Sequence, residues 1–309
     1  AKHDQTLSSL DIFPGDQFFY SRAADALADG DGFVTPWQDI AVQIGLAEPG
    51  APAAHAADHP PLTAIVAAPA SLLPGGRGEH LFEQRLLMCV VGAAVIVVIG
   101  LLARALAGRA VGIVAAVLAA LYPGFWMNDG LVMAETLTTL FVAAALLAAV
   151  LYRHDPTVRG AVWFGAMIGL AGLARAETLV LGPLIGLPLV WTTHRAWRKA
   201  LPRLAVAGAM SALMVVPWVG ANLVRFEEPV LMSTGDGLLL HGANNERVYS
   251  GGALGSWVPS ADAGSAERRF DETDESVDSA ELRDDALAFI GDHLADQPRV
   301  MAARVGRMW

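Results

Sequence analysis

Residues 86–107 read LLMCVVGAAVIVVIGLLARALA, a run in which Arg104 is the only charge. A stretch of that length and polarity is what one helix needs to cross the roughly 30 Å hydrocarbon core of a bilayer. Working outward, residues 131–152 form a second such run with Glu135 near its start, and residues 204–224 form a third with Pro217 near its end. Residues 161–173 and 178–191 are shorter and are separated by the polar step Arg175-Ala176-Glu177-Thr178. Weaker still are residues 62–73, after a Pro-Pro pair, and 111–121, closed by Tyr122-Pro123-Gly124. At about 1.5 Å per residue these short pieces cannot cross a bilayer alone, so they are expected as broken helices packed on neighbours or ending in a cavity. The fold expected is all-α, a polytopic integral membrane protein.

Composition agrees with that reading. Of 309 residues 54% are hydrophobic and only 17% charged, where a soluble domain carries about a quarter charged. Disorder and collagen-like repeats are excluded by the apolar content and by the lack of a three-residue glycine period. The net charge of -10 comes from 31 acids against 21 bases, and nearly all the excess lies after residue 226. An acidic segment on an apolar body argues against nucleic-acid binding. Cys89 is the single cysteine, so no disulfide framework or CxxC site exists. No G-x-G-x-x-G, P-loop, H-E-x-x-H or G-x-S-x-G occurs, which removes dinucleotide, NTPase, zinc-protease and hydrolase chemistry as leads.

Basic residues in short loops set the orientation. Arg104 with Arg109, Arg153 with Arg159, and Arg195, Arg198, Lys199 and Arg203 form three clusters expected on the cytoplasmic side. The opposite side then holds residues 1–60, 124–130, 174–177 and everything after Arg225. The chain accordingly divides into an extracytoplasmic loop at 1–60, a transmembrane body at 61–225 and an acidic extracytoplasmic segment at 226–309. With an external start, Ala rather than Met at position 1, and a basic amphipathic stretch at 298–309 pointing toward further spans, the sequence reads as truncated at both ends.

Polar groups at membrane depth are costly and therefore functional candidates. The derived topology puts Asp16, Asp58-His59, Asn128-Asp129, Glu135, Arg175, Glu177 and His241 on one side, as a polar cavity with carboxylates for base work and an arginine able to clamp a phosphate. Each has a plain alternative. Asp16, ahead of an amphipathic helix at 21–28, fits a helix N-cap as well as a base. Asp29-Gly30-Asp31-Gly32 contains a DxD triplet that could ligate a metal but reads first as a tight turn. Asp58-His59-Pro60-Pro61 is a helix entry with two proton carriers attached. Glu135 could be a carboxyl packed on a polar neighbour, and Arg175 could simply pair with Glu177. The run Asp271-Glu272-Thr273-Asp274-Glu275 reads as a solvated acidic face, with calcium binding as the minor alternative.

Several ordered motifs resemble the GT-C membrane glycosyltransferases, in the branch of protein O-mannosyltransferases and aminoarabinose transferases. They are Gly15-Asp16-Gln17-Phe18-Phe19-Tyr20, His59-Pro60-Pro61-Leu62, Asn128-Asp129-Gly130 through Glu135-Thr136, Gly172-Leu173-Ala174-Arg175-Ala176-Glu177, and Pro217-Trp218 onward to Gly242-Ala243-Asn244-Asn245. The resemblance implies a GT-C-like helical bundle that transfers a sugar from a polyprenyl-phosphate donor on the extracytoplasmic face, normally with inversion. Asp16 would be the catalytic base. Tyr20, His59, Asp129, Glu135, Arg175, Glu177 and Asn244 would bind donor or acceptor, with Arg175 assigned to the phosphate from its charge and side. No cofactor or metal site is implied, and a divalent cation requirement stays open. The partners would be the polyprenyl-phosphate sugar, membrane lipid and an acceptor that is protein, lipid or polysaccharide. The resemblance also implies a helix ahead of Asp16 and later spans that this sequence lacks. Competing readings are a transporter or flippase for a lipid-linked or anionic substrate, and a scaffold docking through its acidic segment.

Overall fold

The computed structural model describes residues 15–36, 53–194, 196–258 and 274–308. They are helical, with one isolated antiparallel bridge between Val34 and His55 as the only β pairing among them. Two compact units arise, Ala1–Gly32 with Pro60–Trp218, and Phe33–His59 with Val219–Trp309. These units follow tertiary contact, whereas the division read from hydropathy follows the side of the membrane.

In the first unit α1 (Asp16–Asp29) packs on α2 (Leu62–Ala67) and on the 3-10 turn Ala68–Leu72. It ends at Gly30, whose φ of 88° closes the helix in a left-handed cap that a side chain would strain. A long apolar helix follows, α3 (Leu81–Ala107), stopped at Gly108, where the chain turns with φ 89° directly into α4 (Arg109–Leu121). These two helices lie close because Gly100 and Gly112 face each other. A Cβ on Gly112 would stand 2.8 Å from the Gly100 carbonyl. Small residues are what allow such approach in lipid, where burial of apolar area gives no drive. Pro123 cannot continue α4, so α5 (Pro123–Asp129) leaves it bent by 59°. This is the broken helix expected of the 111–121 segment.

Next come α6 (Ala134–His154), α7 (Val158–Ala174), the 3-10 turn Ala176–Val180, α8 (Leu181–His194) and α9 (Trp197–Arg225). Tyr152, Phe164, Ile168 and Val190 form their common core. The Tyr152 hydroxyl meets His194 Nε2 at 2.7 Å. Among the described residues four helical stretches can cross a membrane by length and polarity, namely Leu81–Ala107, Ala134–His154, Ala176–His194 and Arg198–Arg225, and a fifth if the bent pair counts as one span. The chain is therefore a multi-pass membrane protein. Basic residues mark the turns α3–α4 (Arg104, Arg109), α6–α7 (Arg153, Arg159) and α8–α9 (Arg198, Lys199), while the turns α5–α6 and α7–α8 carry Asp129, Glu135, Arg175 and Glu177.

The second unit contains the last residues of α9, then α10 (Gly235–Ala243), α11 (Glu275–Asp292) packed along it, and α12 (Gln297–Arg307). Val300 of α12, Val248 and Tyr249 are its small apolar centre.

Candidate functional site

Asp16 is the first residue of α1, one position inside Gly15, which holds the cap position without a side-chain bond. The helix thus starts five residues earlier than the 21–28 periodicity implies, and the N-cap reading of Asp16 is corrected. Its carboxylate sits in the first turn, where the helix dipole favours an anion. Tyr20 is one turn on and 3% exposed. Burial, and then the Asp16 carboxylate, push its phenol well above the ordinary value, opposed by Arg175 and reinforced by Glu135 and Glu177. The phenol is a neutral hydrogen-bond donor across the physiological range.

The same electrostatic environment defines the site. Glu135 opens α6, and Arg175 and Glu177 flank the break between α7 and α8. Arg175 Nη2 donates to Glu135 Oε1 at 2.7 Å, and Nη1 to Glu177 Oε1 at 3.4 Å. The break exists because the Arg175 backbone is extended, while Thr178 Oγ1 donates back to the Arg175 carbonyl at 2.7 Å. Arg175 pairs with Glu177, as its plain reading has it, and more closely with Glu135. The second Glu135 oxygen is buried without a hydrogen-bond partner among the described residues. Of the sequence candidates, Glu135, Arg175 and Glu177 are thus joined in one ion-paired set, and Asp16 and Tyr20 share its electrostatic environment.

Asp129 is placed differently. Its carboxylate accepts from Thr136 Oγ1 at 3.0 Å and lies against α3, where a Cβ on Gly92 would fall 2.1 Å from Oδ2. Cys89 donates to the Asp129 carbonyl at 3.3 Å. His59 and Asn244 belong to the second unit. Asn244 is 4% exposed, and its carboxamide is engaged by Tyr249, Leu240 and Arg304 within that unit.

The Asp29/Asp31 pair forms the turn expected of it, and both carboxylates are bound by Arg77. Among the described residues no group of three or more His, Cys, Asp and Glu side chains is arranged to hold a metal ion. Two residues bonded to α1 were not among the sequence candidates. Arg85 donates to Gln17 at 3.1 Å, beside Asp16, and its Nε is buried without a partner among the described residues. Gln84 is fully buried and ties Asp25 of α1 at 3.1 Å to Ser71 at 2.8 Å. Both lie in Glu83-Gln84-Arg85, the polar lead into the first apolar run, which was the available signal.

The acidic run also needs correction. Residues 271–273 lie outside the described residues, but Asp274 and Glu275 are not a solvated face. Asp274 caps α11 and accepts from Glu227 N at 2.8 Å. Glu275 keeps some exposed area, yet its carboxylate is packed in, accepting from the Ala57 amide and from Thr234 Oγ1 at 2.9 Å. Desolvation and the nearby Asp58 hold this carboxyl well above the usual range, against the pull of its two hydrogen bonds and Arg225. The folded chain therefore keeps that proton more tightly than the unfolded chain. Stability of the second unit is expected to fall as pH rises from the ordinary carboxylate range through the raised value. Glu275→Gln should flatten the profile, which thermal unfolding of both proteins across pH would read. A wild-type midpoint that climbs with pH over that window would contradict the assignment.

The chain matches the family model described as dolichyl-phosphate-mannose-protein mannosyltransferase over residues 58–219. That span runs from Asp58-His59-Pro60-Pro61 to the end of the first unit and covers more than half of the chain, leaving α1 ahead of it. No curated protein and no solved structure matches.

Proposed function

Because the chain belongs to the dolichyl-phosphate-mannose-protein mannosyltransferase family, and is thus a membrane glycosyltransferase, we propose that it moves a sugar from a polyprenyl-phosphate donor to an acceptor hydroxyl or amine at the cluster around Tyr20. The observation carrying this reading is the ion-paired set Glu135–Arg175–Glu177 at the α7–α8 break, whose charges, with that of Asp16, act on the buried Tyr20 phenol. Asp16 takes the acceptor proton, the acceptor atom forms its bond to the anomeric carbon, and the bond from that carbon to the phosphate oxygen breaks. The electron pair leaves with the polyprenyl phosphate, and attack opposite the leaving group inverts the centre.

Arg175 faces that leaving phosphate. Two carboxylates hold its guanidinium in place, and a guanidinium has five N–H donors, so paired nitrogens still leave donors for an anion. The Tyr20 phenol can add a donor without adding charge. The positive-inside pattern of the basic turns supports an extracytoplasmic position for the cluster. The three basic turns and the polar cluster alternate along the chain as that side requires.

The test is transfer of radiolabelled sugar from a panel of polyprenyl-phosphate donors in membranes containing the protein, scored both as labelled acceptor and as released polyprenyl phosphate. Label in the acceptor with stoichiometric polyprenyl phosphate supports the reaction, and no transfer from any donor overturns it. Arg175→Ala is expected to weaken donor use about 10–100-fold, the worth of a charge-assisted hydrogen bond. Arg175→Lys should be intermediate, because charge persists without the fork. The measurement is KM for the donor, and an unchanged KM in both variants would remove Arg175 from the phosphate.

A further inference from the structure

The C-terminal helix α12 has its polarity turned inside out. Its arginines face the protein's own backbone. Arg299 donates to the Tyr249 carbonyl at 2.8 Å, Arg304 to the Ala243 carbonyl and to Asn244 Oδ1, and Arg307 Nε to the Leu254 carbonyl at 2.7 Å. Val300 is fully buried between them. On the other side Met301, Val305 and Met308 recur at i, i+4 and i+7 with exposures of 55%, 53% and 73%, and Leu294 lies one heptad earlier at 65%. A surface helix on a water-soluble body shows the reverse, apolar stripe inward and charge outward.

We propose that this stripe lies in the headgroup layer of the lipid bilayer, making α12 an interfacial helix that seats the second unit on the membrane. Lipid is the occupant because Val219–Arg225 of the same compact unit are the last turns of a membrane span. The unit is thus tied by its own peptide chain to the point where that chain leaves the hydrocarbon. Leu223 and Val224 are exposed there as well, at 51% and 87%. Arg299 and Arg307 also stay exposed enough to meet lipid phosphate. The proposal does not depend on the transfer reaction.

The test places an environment-sensitive fluorophore on Met301→Cys or Val305→Cys of the full chain in nanodiscs of phosphatidylcholine, with and without phosphatidylglycerol. The background is Cys89→Ser, which keeps a donor for the Asp129 carbonyl. Asp284→Cys on the exposed side of α11 is the water control. An interfacial helix sits about 5–10 Å into the headgroup boundary. Probes at 301 and 305 should then lose most of their emission to nitroxide-labelled lipid and little to aqueous iodide, with the control reversed. Iodide quenching equal to that of the control would overturn the proposal. Shielding from both quenchers would overturn it too, since it would mean that protein, either a second copy or another segment, covers the stripe.

Discussion

Asp16→Asn is expected to lower sugar transfer by about 10²–10⁴-fold, the usual contribution of a positioned general base, while leaving the protein folded. The substitution keeps size and shape, and an amide cannot accept the acceptor proton. It takes one anion from the first turn of α1, worth about 0.3–1 kcal/mol against the helix dipole. Gly15 provides the cap, so Asn is not asked to replace a capping bond. Transfer and thermal stability should therefore separate, with activity lost and the unfolding midpoint nearly kept. Asp16→Glu retains a base at altered reach and should recover part of the rate. If Asp16→Asn transfers sugar as wild type does, Asp16 is not the base. The remaining carboxylates of the cluster, Glu135 and Glu177, would then have to be tried, although Arg175 already holds each of them.

The ease of reading this molecule from its sequence tracks how local the physics is. The span at Leu81–Ala107 was legible because eighteen consecutive apolar residues, 86–103, admit little else, and the Pro123 break because proline cannot extend a helix. The convergence of Glu135 and Arg175 was legible through topology, since chain direction alternates regardless of how side chains pack. The start of α1 was not. Gln17-Phe18-Phe19-Tyr20 has no apolar periodicity, and the helix begins there because Phe19 and Tyr20 find tertiary burial. Glu275 was misread for a related reason. Nothing in an acidic run says which carboxylate will be drawn under Ala57 and Thr234, because both partners are far away in the chain. The amphipathicity of α12 was visible, but the sequence does not say which face turns inward when lipid, not water, lies outside.

The packing of α7 carries the second large effect. Gly165 and Gly169 are spaced one turn apart on α7, and both face α9. A Cβ at Gly165 would lie 2.1 Å from the Ala207 carbonyl oxygen, and one at Gly169 would lie 2.8 Å from that of Ser211. Backbone meets backbone here, so no rotamer change can make room, and the whole of one helix must move. Gly165→Leu is therefore expected to exceed the about 1–3 kcal/mol of ordinary overpacking, and to yield protein that aggregates or extracts poorly from membranes. Gly208→Ala, on α9 itself and beside Ala207, is the control. Nothing lies within 4 Å of its Cβ position, and alanine favours a helix over glycine by about 1 kcal/mol, so this variant should be as stable as wild type or slightly more so. Size-exclusion profiles and unfolding midpoints in detergent compare them directly. Because Arg175 follows the last residue of α7, displacing that helix also displaces the guanidinium from Glu135. Any Gly165→Leu protein that does fold should thus lose transfer out of proportion to its remaining stability. A Gly165→Leu protein with a wild-type midpoint would mean that α7 and α9 do not pack through these glycines.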